Sequence, residues 1–226
     1  YINSYNANMI SNEVFIDSAT LRENVVALAR NIGYTPRSTT AAKAIVSFFV
    51  DTSGFTTKPV TLTLKKGVVA TSASVFGSES YAFAIPSDVT VPIVDGIATF
   101  RDVVIYEGTY LTTNFTVSSE NPAPPTKYIL ENANIDTSTL EVGVRDTQAS
   151  TTSKKFVFSD TLIEVTDKSR VYFLQEIEDQ RYELIFGDGV FGEALKSLNF
   201  IEVSYITSSG SAANNISSFS FNGRIV

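Results

Sequence analysis

Val89-Thr90-Val91-Pro92-Ile93-Val94-Asp95-Gly96-Ile97-Ala98-Thr99-Phe100 is the stretch that decides how most of this chain is read. Val89, Val91 and Ile93 recur at every second residue, the period of a strand with one face on a core. Asp95-Gly96 separates them from a second run, Ile97 to Tyr106. A two-residue connection in which both residues tolerate positive φ marks a tight hairpin. The same period continues on either side. Val60, Leu62 and Leu64 alternate with Thr61, Thr63 and Lys65, while Tyr81, Phe83 and Ile85 alternate with Ala82 and Ala84. Tyr110 to Val117 closes this first β region, read as residues 41–118.

Residues 119–126 follow, with Pro122, Pro124 and Pro125 among them. Proline donates no ladder bond and favours extended chain, so this segment reads as a linker or a long crossing between sheets, with a stiff loop inside one domain as the alternative. A second β region covers 127–226. Leu140, Val142 and Val144 alternate, and Phe156–Phe158, Val171–Leu174, Tyr182–Phe186 and Phe200–Ile206 are further strands. Residues 1–40 have a different period. Leu21, Val25, Leu28 and Ile32 recur at helical spacing, Thr20 with Glu23 fits a capping box, and Gly33 stands where a helix ends. Ile2, Tyr5 and Met9 form a weaker stripe in an Asn-rich stretch. The expected fold class is therefore α+β: a short helical N-terminal part, then two mainly antiparallel β regions, sandwich-like or barrel-like.

The composition removes whole classes of function. The 226 residues include no Cys and no His. Disulfides, Ser-His-Asp and Cys-His catalysis and a histidine switch are excluded for lack of the groups. The commonest soft metal ligands are missing too. Seventeen basic against 24 acidic residues leave a net charge of −7. Binding to a phosphate backbone needs clustered Lys and Arg, and the longest basic runs are Lys65-Lys66 and Lys154-Lys155. Nothing approaches the ~20 apolar residues of a membrane helix. The chain begins at Tyr1 in mid-pattern, without a secretion signal, as a piece of a longer protein does.

Two local constellations merit chemical tests. Gly187-Asp188-Gly189-Val190-Phe191-Gly192 is not followed by the Lys-Ser/Thr of a phosphate loop, and its surroundings are β rather than βαβ. Gly187, Asp188, Gly189 and Gly192 therefore read as a structural turn, with Asp188 bonding its own backbone. Glu176, Glu178, Asp179, Glu183 and Asp188 form an acidic stretch. Paired carboxylates could serve a glycosidase or a Ca²⁺ site, but the Asp-x-Asp-x-Asp-Gly spacing of a Ca²⁺ loop is absent. A charged turn between two strands is the simpler reading. Ser18 and Ser38 have no base to activate them. The glycosylation patterns at Asn114-Phe115-Thr116 and Asn215-Ile216-Ser217 read as chance matches.

Several blocks together carry a resemblance. Tyr5-Asn6-Ala7-Asn8-Met9, Asn12-Glu13-Val14-Phe15, Asp17-Ser18-Ala19-Thr20-Leu21-Arg22, Leu28-Ala29-Arg30 and Gly33-Tyr34-Thr35-Pro36-Arg37-Ser38 form the specific part. Leu64-Lys65-Lys66-Gly67, Val171-Tyr172-Phe173-Leu174 with Phe186 to Gly192, and Val203-Ser204-Tyr205 with the later Gly210 and Asn214 or Asn215 agree with it. The chain resembles the baseplate wedge protein of T-even-like contractile-tailed phages and the wider J-like baseplate family. It departs at Leu195-Lys196-Ser197-Leu198, where the family often has a further Gly.

The resemblance implies a structural, non-enzymatic subunit of the virion, assembled in the host cytoplasm, that joins a ring around the tail tube and rearranges on sheath contraction. It implies partners in other copies of the chain, as a dimer or ring, and in other wedge subunits. No nucleic acid, membrane, small-molecule substrate, cofactor or metal is expected. Family members meet partly through helical bundles, which makes Leu21, Val25, Leu28 and Ile32 the candidate interface, with docking on the chain's own β region as the alternative. The alternative is a carbohydrate-binding or adhesin-like β module of a tail fibre. Such a module needs an exposed aromatic platform.

Overall fold

The computed structural model describes residues 15, 17–20, 24–25, 28, 38–72, 80–118 and 126–226. Fourteen strands run through them: β1 Lys43–Asp51, β2 Thr61–Leu64, β3 Gly67–Ser72, β4 Ala82–Ile85, β5 Val89–Val94, β6 Ile97–Glu107, β7 Thr109–Thr116, β8 Tyr128–Leu130, β9 Ile135–Arg145, β10 Ser153–Phe158, β11 Val171–Glu176, β12 Tyr182–Phe186, β13 Phe200–Thr207 and β14 Phe219–Phe221. Two compact units share them. The larger takes in the described parts of Thr39–Ser119, Asn134–Phe156 and Lys196–Val226; the smaller takes in Val157–Leu195 with the described parts of Tyr1–Ser38 and Glu120–Ala133.

The α+β expectation is corrected. The described residues are 51% strand and 5% helical, and no α-helical element occurs among them. Near the N-terminus they form a turn, in which the Ala19 N–H donates to the Phe15 carbonyl at 2.8 Å. Asn24, Val25 and Leu28 alone there have helical backbone. The stripe at Ile2, Tyr5 and Met9 lies outside the described residues, as do Leu21, Ile32 and most of the linker. The physical reason for the β outcome is one of extent. β-branched and aromatic residues at period 2 occupy most of the chain, and each strand finds a partner for its ladder. Short helical periodicity at one end cannot set the class against that, because a helix of a few turns is marginal without tertiary support.

In the larger unit, β5 and β6 form the expected hairpin. Ile93 pairs with Ala98 and Val94 with Ile97, and Asp95 (φ 51) and Gly96 (φ 80) both take positive φ in the turn. The order β14-β3-β4-β6-β5-β2, with β1 on the other side of β6, curls into a near-barrel. The C-terminal segment closes much of it. Its first part pairs with β3 through Phe219↔Ser72 and Phe221↔Ala70. Its end pairs with β2, where the Thr63 N–H donates to the Val226 carbonyl at 2.8 Å and the Val226 N–H returns a bond at 3.0 Å. Leu62, Leu64, Phe83, Ile85, Ala98, Phe100 and Ile105 fill the interior. A second antiparallel sheet of this unit runs β7-β13-β9 and on to the start of β10. Ile201, Val203 and Tyr205 of β13 are fully buried, and the Tyr205 hydroxyl shares a hydrogen bond of 2.9 Å with Thr113.

One buried carboxylate organises this unit. Asp136 accepts the Ala41 N–H at 2.8 Å, the Ser138 N–H at 3.0 Å and the Ser138 hydroxyl at 2.6 Å. Truncation would leave the buried Ala41 N–H without its acceptor, which costs the desolvation of that group. Asp136→Ala is therefore expected to lower the unfolding free energy by about 2 kcal/mol. Urea titration followed by circular dichroism measures it, and an unchanged midpoint would show that solvent reaches this donor.

In the smaller unit, Val157 and Phe158 pair parallel with Val171 and Tyr172 of β11, and β11-β12-β8 continue antiparallel. Tyr128, Leu130, Tyr172, Tyr182 and Leu184 are its buried apolar and aromatic side chains among the described residues. This sheet carries the Gly-Asp-Gly loop at the end of β12.

Candidate functional site

The loop after β12 is built by backbone groups. Gly187 forms an isolated bridge with Ala194, so the chain leaves the strand and returns beside it. The Gly189 N–H donates to the Gly192 carbonyl at 3.0 Å, and Gly189 (φ 89) and Gly192 (φ 98) both take positive φ. Gly187 is needed for a different reason. A Cβ placed on it would lie 2.3 Å from the Gly192 carbonyl carbon. Neighbouring turns fasten the loop from outside. The Gly192 N–H donates to the Thr166 carbonyl at 3.0 Å, the Glu193 N–H to the Ser169 carbonyl at 2.8 Å, and Arg170 Nε to the Glu193 carboxylate at 3.0 Å.

Asp188 acts on its own turn, as expected. Its Oδ1 accepts the Phe191 N–H at 2.8 Å and the Val190 N–H at 2.9 Å. These two bonds, Phe191 first, hold its carboxyl below the usual aspartate value despite a small opposing effect of desolvation. Its contribution to the loop is thus complete above the unfolded-chain value and is lost as pH falls through the lower, folded value. A carboxyl carbon chemical-shift titration should place the Asp188 midpoint below that of an unstructured aspartate. A midpoint at or above it would remove the two backbone bonds from the account.

Above this frame stand two apolar side chains, Val190 and Phe191, with 64% and 47% of their surface exposed. The loop therefore presents hydrophobic surface on a rigid base. The remaining acidic residues do not gather around it. Glu176 ends β11 and is buried, Asp179 (φ 60) lies in the short 3₁₀ turn Glu178–Gln180, and Glu183 lies within β12. Among the described residues no group of three or more Asp or Glu could hold a metal ion. The lysine pairs lie on the surface of the larger unit in separate ion pairs: Lys65 with Asp88 at 2.8 Å, Lys66 with Glu202 at 3.2 Å, Lys154 with Asp146 at 2.7 Å and Lys155 with Glu141 at 2.6 Å. Of the candidate interface stripe, Val25 and Leu28 are half-buried, and Leu21 and Ile32 lie outside the described residues.

A cavity of about 620 Å³ in the larger unit escaped the reading of the sequence. Val46, Phe48 and Val50 of β1 face Phe219 and Phe221 across it, with Leu64, Val103 and Ile105 behind. Phe48 bridges it, its ring centroid 4.8 Å from that of Phe100 and 5.0 Å from that of Phe221. Serines are its only polar side chains, so it offers packing surface and no group for proton transfer. Periodicity could place Phe48 on an inner face; it could not bring Phe221 opposite.

No protein-family model matches the chain, and no curated protein matches it either.

Proposed function

We propose that this chain is a structural subunit of a contractile phage tail baseplate wedge, held in the assembly by protein contacts. The observation that carries the reading is the Phe186–Gly192 block, one of those that resemble the baseplate family. Its glycines and Asp188 are spent on backbone geometry, and its two bulky apolar residues face outward. Exposed apolar side chains on a fixed frame suit the centre of a protein interface, where ordering costs little on binding. The subunit joins a ring with further copies of itself and with other wedge proteins, and it is part of the virion.

The test is incorporation. Antibody raised against the chain should label purified contractile tails at the baseplate. Phe191→Asp should leave thermal unfolding within about 0.5 kcal/mol of the parent, as exposed positions do. The same variant should fail to enter assembled tails. Normal incorporation of the variant, or unlabelled tails, would remove the proposal. Binding of the chain to a glycan array in the absence of tail incorporation would favour a tail-fibre module instead.

A further inference from the structure

Strand β1, Lys43-Ala44-Ile45-Val46-Ser47-Phe48-Phe49-Val50-Asp51, pairs with β6 over its whole length and, among the described residues, with no other strand. The bonds beyond its ends set its phase. The Ala42 carbonyl accepts from the Glu107 N–H at 2.7 Å, and the Thr52 N–H donates to the Gly96 carbonyl at 2.8 Å. Even-numbered residues thus turn their backbone groups toward β6. The extra residue of the pairing sits on β6, near Asp102 (φ 52), so β1 keeps its own alternation. Lys43, Ile45, Ser47, Phe49 and Asp51 turn their N–H and C=O groups to the opposite edge, and their side chains share the outer face. Ile45 and Phe49 are 68% and 70% exposed.

Edge strands are usually blunted by central charges, proline or short length. β1 has none of these devices: nine residues, charges only at its two ends, and apolar residues between apart from Ser47. We propose that this edge pairs antiparallel with the same edge of a second copy of the chain, centred on Ser47. The sequence is complementary to its own reversed image. Lys43 then faces Asp51 of the other copy, Ile45 faces Phe49, and Ser47 faces Ser47. Each of these is a hydrogen-bonded pair, because all are odd-numbered. On the inner face Ala44 meets Val50 and Val46 meets Phe48. Sliding by one hydrogen-bonded step destroys the match, since Lys43 would then face Phe49 or Asp51 would face Ile45. The register is therefore set by charge as well as shape. The Ser47 hydroxyl oxygen is engaged on its own chain, accepting the Asp102 N–H at 3.0 Å. This pairing rests on β1 alone and does not depend on the baseplate reading.

One added strand pair buries less than about 1,000 Å², the class of weak and transient association. Sedimentation velocity on the whole chain, from about 1 μM to several hundred μM, should therefore show a reversible monomer–dimer equilibrium. Ile45→Asp and Phe49→Lys are both exposed changes and should leave unfolding unaltered. Each spoils two symmetry-related pairs and should weaken the dimer about tenfold or more. Mixed in equal amounts, the two variants should associate with each other. The introduced lysine then faces the introduced aspartate, and an unaltered Ile45–Phe49 pair remains at the other site. A parent chain that stays monomeric throughout overturns the proposal. So does a variant that dimerises like the parent, or a mixture that does not recover. A fall in the monomer's melting temperature on Phe49→Lys would show instead that the chain itself covers this edge.

Discussion

Gly108→Ala is expected to cost the larger unit about 4 kcal/mol, enough to leave a domain of ordinary stability marginal. Gly108 is the single residue between β6 and β7, and its φ is 133°, a region that side-chain-bearing residues avoid. Strain there costs on the order of 1–3 kcal/mol. Space is lacking as well. A Cβ would lie 2.2 Å from the Thr207 carbonyl oxygen and 2.8 Å from Ile206 Cγ2. Thr207 is held by its pairing with Thr109 and Ile135, so it cannot withdraw without opening two strand pairs. Overpacking of this kind adds roughly 1–3 kcal/mol. The corner is also tied by polar groups. The Gly108 N–H donates to the Ala82 carbonyl at 2.9 Å, and the buried Glu107 carboxylate accepts the Ser208 hydroxyl at 2.7 Å. Urea unfolding gives the comparison, with Gly54→Ala as the control, since nothing lies within 4 Å of a Cβ there. Equal midpoints for the two variants would mean that β13 does not approach residue 108.

Gly187→Ala is expected to cost the smaller unit about 3 kcal/mol, while Asp188→Asn costs much less. The alanine methyl would meet the carbonyl carbon, Cα and oxygen of Gly192, all within 2.5 Å. These are backbone atoms pinned by the Thr166 and Gly189 bonds, so the loop must open to accept it. An asparagine in place of the aspartate keeps a side-chain oxygen for the Val190 and Phe191 N–H groups and loses only charge. Gly189→Ala falls between, because its strain comes from φ 89 and its nearest neighbour, Ala194 Cβ, is 3.6 Å away. Amide exchange at Val190 and Phe191 reports the loop, and urea unfolding reports the unit. If Asp188→Asn proved the most damaging of the three, the carboxylate would have a role that two backbone bonds do not explain.

The candidate loop was legible in part. Gly-Asp-Gly after an alternating strand implied a turn with Asp188 bonding its own backbone, and both bonds are present. Gly189 serves the turn through its positive φ. Gly187 is required by its contact with Gly192, five residues on, and such a contact leaves no local mark. The outward apolar pair of β1 did leave one. Ala44 to Val50 is apolar on both faces apart from Ser47, whereas a strand covered on one side should alternate.

By itself the sequence determined many of the strands, β5, β6 and β12 among them, and where the Asp95-Gly96 hairpin folds. These follow from side-chain alternation and from turn residues that tolerate positive φ, both local properties. It also excluded chemistry that needs His or Cys. Only the tertiary structure decided that the described chain is nearly all β, that Phe219 to Val226 reaches from β3 to β2, and that β13 lies between β7 and β9. Choosing a partner strand far along the chain depends on register, loop closure and the shape of the whole core, and the periodicity of a strand is the same whichever neighbour it takes.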